Sequence, residues 1–287
     1  MKKNIIITPT FNDWKSLNKL IVEIDKNIKS NKKKFKIIII NDCSTVQESF
    51  ELTKLKKIKE IYVLNLKKNV GSQKAIYIGL MYLKNKKDNS IITIIDSDGE
   101  DDPKKIPSMI SMAGKYPKHV ITANRKKRTE KIFYRFLNHV RLIITFCLTG
   151  KYIDFGNFTS FDSKNLKKIL INSNLSLAYS AGILSNIKNI KRFNAEKRKR
   201  YFGDSKVGLK FLIEHSFNII SVFKKSVFIR SLFLILISFN FINHKLLLII
   251  TVSSLIIFNL LILGNNIMNN KNSKYKKMAR SLKKIKV

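Results

Sequence analysis

The chain has 287 residues, 45% of them hydrophobic, which is enough to bury a sizeable core and excludes a disordered chain. Its 56 Lys and Arg against 19 Asp and Glu give a formal net charge of +37. The lysines are spread along the whole chain without a nucleic-acid-binding signature, so no nucleic-acid partner is expected; a basic surface still favours anionic small molecules and lipid headgroups.

Residues 5–8 (IIIT) predict a buried strand ending at a Pro-Thr turn, and the apolar stretch before Pro9 is too short for a signal peptide. The N-terminal part is therefore expected to stay in the cytoplasm. Trp14, Leu17, Leu20, Ile21, Ile24 and Ile28 recur at helical spacing over 13–29. Strands follow at 35–40 (FKIIII), 61–66 (IYVLNL) and 90–96 (SIITIID), with a helix at 72–83 and a further strand at 119–124. Continuous Ile-rich strands alternating with helices predict an α/β fold, a mostly parallel sheet with helices on both faces. Such sheets bind ligands outside the carboxyl ends of their strands. The polar stretches PTFND, NDCST, KKNVG and DSDGEDD fall there. Cys43 and Cys147 lie far apart at no zinc or redox spacing, which fits a reducing compartment.

Residues 131–149 are apolar and aromatic with scattered bases, a pattern that fits a helix at a membrane interface or one packed on the domain; both remain open. No acidic residue occurs after Glu214. Two apolar stretches, 226–242 and 246–263, are separated only by Asn243-His244-Lys245 and predict a transmembrane hairpin. Lys224 and Lys225 before it, and eight Lys and Arg within 271–286, put both ends in the cytoplasm. The expected organisation is a cytoplasmic domain at 1–222, a membrane hairpin at 223–264 and a basic cytoplasmic tail at 265–287, solvated or touching anionic lipid. The localisation expected is the cytoplasmic membrane, multi-pass, and hairpin pairing leaves a homo-oligomer open.

Asp96, Asp98, Glu100, Asp101 and Asp102 crowd into IIDSDGEDDP (94–103) at the end of a buried strand. Carboxylates this close repel one another unless a cation intervenes. Asp96 and Asp98, one residue apart, suit a hard cation such as Mg²⁺ or Mn²⁺, which keeps positions open for phosphates. A metal clamp for a nucleotide diphosphate leaving group is the reading of this cluster.

With ITPTFND (7–13), IINDCST (39–45), NVGSQKAIYIGL (69–80), FGNF (155–158) and RYFGDSK (200–206) in the same order, the chain resembles family 2 glycosyltransferases of the GT-A fold, in the polyprenyl-phosphate branch. The resemblance implies a metal-dependent, inverting transfer of sugar from a UDP- or GDP-sugar to a polyprenyl phosphate. It implies that Pro9, Phe11, Asp13, Asp42, Asp96, Arg200 and Lys206 hold the donor nucleotide. Asp96 and Asp98 become the catalytic pair, and Asp96, Asp98 and Glu100 the metal ligands. Arg125 and Arg135 would grip the acceptor phosphate, and Asp101 and Asp102 would be solvated. Two departures stand out: Cys43 replaces a glycine, and Asn157 replaces the aspartate of a G-D-F-R motif. A phosphate acceptor, with a second pKa near ~6, needs no base. A glycolipid or polysaccharide acceptor would need one, with Asp154 the candidate. A non-catalytic membrane-associated binding protein is the remaining alternative.

Overall fold

The computed structural model describes residues 2–28, 35–46, 50, 55–86, 89–125, 132–203, 208–241, 243–269, 272–282 and 284–286; for 59, 125, 132–135, 241, 272, 284 and 285 it describes the backbone alone. The strands are β1 (Lys3–Thr10), β2 (Phe35–Asn41), β3 (Ile58–Asn65), β4 (Ser90–Ile94), β5 (Val120–Arg125), β6 (Phe155–Asp162), β7 (Ile190–Ala195) and β8 (Lys284–Lys286). The helices are α1 (Trp14–Asn27), α2 (Ser72–Lys86), α3 (Ile106–Lys115), α4 (Ile132–Thr149), α5 (Leu166–Ile169), α6 (Asn174–Leu177), α7 (Tyr179–Asn186), α8 (Leu209–Val222), α9 (Lys224–Ser238), α10 (Lys245–Asn269) and α11 (Asn272–Ser281).

All eight strands join one sheet in the order β7-β5-β6-β4-β1-β2-β3-β8. β4, β1, β2 and β3 run parallel, whereas β6 is antiparallel to both β4 and β5. Side chains alternate between the faces. Ile5, Ile7, Ile38 and Ile40 meet α2, while Ile6, Ile37 and Ile39 meet α1 and α3. The continuous isoleucine runs are therefore explained by a sheet covered on both faces.

Nine consecutive residues of α2, Ala75 to Leu83, are buried. A helix buried all round needs cover on its outer side. α11 supplies part of that cover: Tyr275 and Ala279, at i and i+4, are buried, and the Tyr275 ring meets Tyr77 edge-on at 5.9 Å. β8 then pairs antiparallel with β3 at the sheet edge. The tail expected to be solvated is thus folded back onto the domain, because its apolar residues form one stripe among the lysines. Tyr275→Ala removes a buried aromatic ring and is expected to destabilise the domain by about 3 kcal/mol. Thermal unfolding in detergent checks this, and an unchanged Tm would contradict the packing.

The expected pair of spans needs correction. α9 ends at Ser238, shorter than the stretch 226–242 read from the sequence, and its 15 residues measure only about 22 Å against a ~30 Å hydrocarbon core. Among the described residues one helix, beginning at Lys245, is long and apolar enough to cross a membrane, with a mean hydropathy of 2.8 and 6% of that window buried. A multi-pass arrangement is not supported. α9 instead packs along α10, and Arg230 of α9 donates to the Cys147 carbonyl of α4 at 2.9 Å. The near end of α10 is rooted in the domain by asparagines. Asn266 accepts from Lys224 at 2.7 Å and donates to the Ser221 carbonyl at 3.0 Å, and Asn269 accepts from Lys74 of α2 at 3.2 Å.

Candidate active site

The carboxyl ends of β1, β2 and β3 are level in register, Thr10 beside Asn41 and Asn41 beside Asn65. Asn41 donates to Asn65 at 2.8 Å and accepts from the Ser44 amide at 2.9 Å. Asn12, itself at φ 51°, accepts the Thr45 amide at 2.8 Å and zips the loop after β1 to the loop after β2. Cys43 has φ 61°, so the left-handed turn that a glycine would take freely is kept here despite a Cβ. Pro9 is buried in β1, while Phe11 stands 39% exposed at the loop.

Asp42 follows the last residue of β2 with both oxygens engaged, accepting from the Val70 and Gly71 amides at 2.8 Å each. Gly71, at φ +85°, makes the turn into α2 that aims these amides at the carboxylate. Burial pushes the Asp42 carboxyl up, against the two amides and Lys74, which pull it down. In this structure Asp42 pins the loop before α2.

The acidic loop after β4 is covered by the segment after β7. The Arg198 amide donates to the Glu100 carbonyl at 2.7 Å and the Tyr201 amide to the Asp98 carbonyl at 2.9 Å. Gly99 has φ +83°, and a Cβ there would lie 2.3 Å from the Tyr201 ring, so this cover needs glycine twice over. Arg200 bridges Asp98 (3.1 Å) and Asp13 (3.0 Å). Lys197 pairs with Glu100 at 2.9 Å, and Arg198 reaches Glu23 at 2.9 Å and Asp102 at 3.5 Å. Burial, then the neighbouring Glu100, raises the Asp98 carboxyl above its ordinary range, with the Glu100 amide and Arg200 opposing. Asp102 accepts the Lys104 amide at 3.1 Å and caps a 3-10 turn, and Asp101 is 3% exposed. Neither is the solvated group expected.

The three carboxylates read as metal ligands do not share one cage. Asp98 faces Arg200, Glu100 faces Lys197 and Asp96 faces Asn157; among the described residues no three His, Cys, Asp or Glu converge on one point. Their donor chemistry still fits a hard divalent cation. The oxygens are carboxylates at a strand end, and the desolvated Asp98 is a group that added positive charge would stabilise.

Asp13, Asp98 and Arg200, chosen from sequence, thus come together. Arg125 ends β5 at the carboxyl edge and Arg135 lies in the first turn of α4, but neither side chain is described, and Lys206 lies outside the described residues. The sequence reading missed Gln73, Thr159 and Tyr179, and it read Asn157 only as a lost aspartate. Asn157 donates to both oxygens of Asp96, at 2.9 and 3.2 Å, and accepts from Gln73 at 3.3 Å. Gln73 in turn accepts the Tyr179 amide at 2.6 Å, and the Tyr179 hydroxyl meets Thr159 at 2.6 Å. Asp154 is bound to Arg192 at 2.9 Å, an ion pair that occupies its carboxylate.

A parallel-centred sheet clad on both faces, with a carboxylate-rich loop at its carboxyl edge, is the GT-A architecture. The chain belongs to Glycosyl transferase family 2, whose profile matches residues 5–183. It is 24% identical over 226 residues to the undecaprenyl-phosphate 4-deoxy-4-formamido-L-arabinose transferase of Yersinia enterocolitica, covering 77% of this chain and 67% of that one. Identity to the enzyme of the same name from Salmonella choleraesuis is 22% over the same shares. Among solved structures it is similar to S. aureus TarS 1–349 in complex with UDP-GlcNAc (TM-score 0.50, 15% identity, 97% of this chain and 91% of that one). A mycobacterial protein matches with TM-score 0.51 and 13% identity over 79% of this chain and 75% of that one. The chain spans 39% of the longer TarS chain. These structural likenesses concern the fold.

Proposed function

We propose that this glycosyltransferase moves a sugar from a UDP- or GDP-sugar to a polyprenyl phosphate at the cytoplasmic face of a membrane, with inversion at the anomeric carbon. The observation that carries the reading is the pairing of Arg200 with Asp98 and Asp13 at the carboxyl edge, in a chain that also carries the exposed apolar helix α10. The names of the Yersinia and Salmonella relatives supply the lipid-phosphate class.

In this reading Pro9, Phe11, Asp13 and Asp42 frame the base and ribose. Arg200 and Lys206 face the diphosphate; Arg200 has a buried Nε without a hydrogen-bond partner among the described residues, a donor left for an anionic ligand. Asp96 and Asp98, with Glu100, would hold Mg²⁺ or Mn²⁺, which when bound neutralises the departing nucleotide diphosphate. Arg125 and Arg135 hold the acceptor phosphate. That phosphate is its own nucleophile, which agrees with an amide at Asn157 and an ion-paired Asp154. A hydroxyl acceptor loses support for the same reason, because its base is spoken for. The domain sits at the bilayer with α10 inserted and α4 at the surface, where Phe136, Ile143, Ile144 and Phe146 are exposed.

The test uses the full chain in detergent with Mn²⁺, polyprenyl phosphate and a panel of nucleotide sugars, reading nucleotide diphosphate release. Release that requires the lipid is expected with one donor class. Release that ignores the lipid would reject the acceptor, and no release from folded protein would favour a binding protein.

A further inference from the structure

The Gln73–Asn157 pair has a polarity that its two ends dictate. The Tyr179 backbone N–H can only donate, so the atom of Gln73 that meets it at 2.6 Å is the carbonyl oxygen. The Gln73 amide group must then face Asn157, whose oxygen accepts at 3.3 Å, leaving the Asn157 amide to face both Asp96 oxygens. No link can be flipped without bringing two donors or two acceptors together, so a backbone N–H on α7 sets the direction of a hydrogen-bond chain ending on a carboxylate. The chain crosses three elements, since Gln73 lies in the first turn of α2, Asn157 lies in β6 and Tyr179 starts α7.

We infer that Gln73 and Asn157 are positioning residues, a directional amide relay that holds the Asp96 carboxylate toward the donor. Neither touches the reacting atoms; both act through Asp96. The inference rests on the transferase reading above. It also gives Asn157 a purpose of its own: an aspartate there would present oxygen to oxygen at 2.9 Å, whereas the amide presents a donor.

The relay makes an ordering that simple packing reverses. In Gln73→Ala the Asn157 amide can remain on Asp96. In Gln73→Glu the shape is preserved and the Tyr179 amide is still accepted, but the new carboxylate also demands a donor from Asn157. Asn157 must either turn its oxygen onto Asp96 or meet oxygen with oxygen at position 73. A glutamate in the first turn of a helix is otherwise favoured, so local helix energetics work against the expected order. Both variants are compared with wild type for kcat and donor KM of lipid-dependent nucleotide release, and for thermal unfolding. Gln73→Glu is expected to lose about 100-fold in kcat/KM, the scale of a misplaced active-site group, with Gln73→Ala losing clearly less and melting higher than Gln73→Glu. A loss in Gln73→Glu equal to or smaller than that in Gln73→Ala overturns the relay. Should wild type release nucleotide from no donor, the transferase reading fails, and the order of the two unfolding midpoints decides the relay by itself.

Discussion

Asp98→Asn is expected to lower lipid-dependent nucleotide release by roughly 100- to 1000-fold, the scale seen when one preorganised charge-stabilising group is removed. The substitution keeps the shape of the side chain, and the Asn oxygen can still accept the Glu100 amide that Asp98 accepts at 3.0 Å. What changes is the other end. Asp98 Oδ2 accepts from Arg200 at 3.1 Å, and an amide there would set donor against donor. The variant therefore loses a hard oxygen ligand and also releases Arg200 from its bridge to Asp13. Because Asp98 is desolvated, its charge acts in surroundings that screen it poorly. Asp154→Asn is the matched control. It breaks the pair with Arg192 at 2.9 Å and should leave turnover within a few-fold of wild type. Wild-type release in Asp98→Asn would end the proposed mechanism, and loss of turnover in Asp154→Asn would restore a hydroxyl acceptor with Asp154 as its base.

How far the sequence reaches can be seen by comparing these residues. Asp98 was legible because its acidic cluster follows a buried strand, and Asp13 and Arg200 because their motifs carry the family resemblance; β1 and β4 are neighbours in the sheet. The Gln73–Asn157–Asp96 chain was not legible. Its links join residues 84, 61 and 106 positions apart, and they depend on β6 running antiparallel beside β4, which no local pattern encodes. The isoleucine runs show that a strand is buried on both faces but not its place in the order. The tail failed for a different reason. Its lysines dominate the composition, and only the i, i+4 spacing of Tyr275 and Ala279 signals a buried stripe. The first apolar stretch was read too long because composition is continuous past Ser238, where the helix gives way to a 3-10 turn over Phe239–Phe241. Cys43 shows the converse, a side chain carried at φ 61°, a backbone conformation that glycine takes freely.

Replacing Ile256 and Ile257 together by lysine is expected to abolish stable membrane association. The two are 50% and 57% exposed near the middle of α10, on a helix of 25 residues, or about 38 Å. In water such exposed isoleucines are a solubility liability, and lysine there would be neutral or helpful. In hydrocarbon each lysine at a helix centre costs about 3 kcal/mol, and two cannot both snorkel from mid-helix. The sign of the effect therefore separates the environments. α9 gives no substitute anchor, since its 15 residues are too short to cross and it lies along α10 and against α4. Fractionation of the full chain should find wild type in the membrane pellet, extractable only by detergent, and the double variant in the soluble or aggregated fraction. If the wild type were soluble and the double variant partitioned identically, α10 would be a surface awaiting a protein partner. The acceptor lipid would then have to be delivered to the site by something else, because Asn266 and Asn269 root α10 beside α8 and α2, within the same domain that presents Gln73 to Asp96.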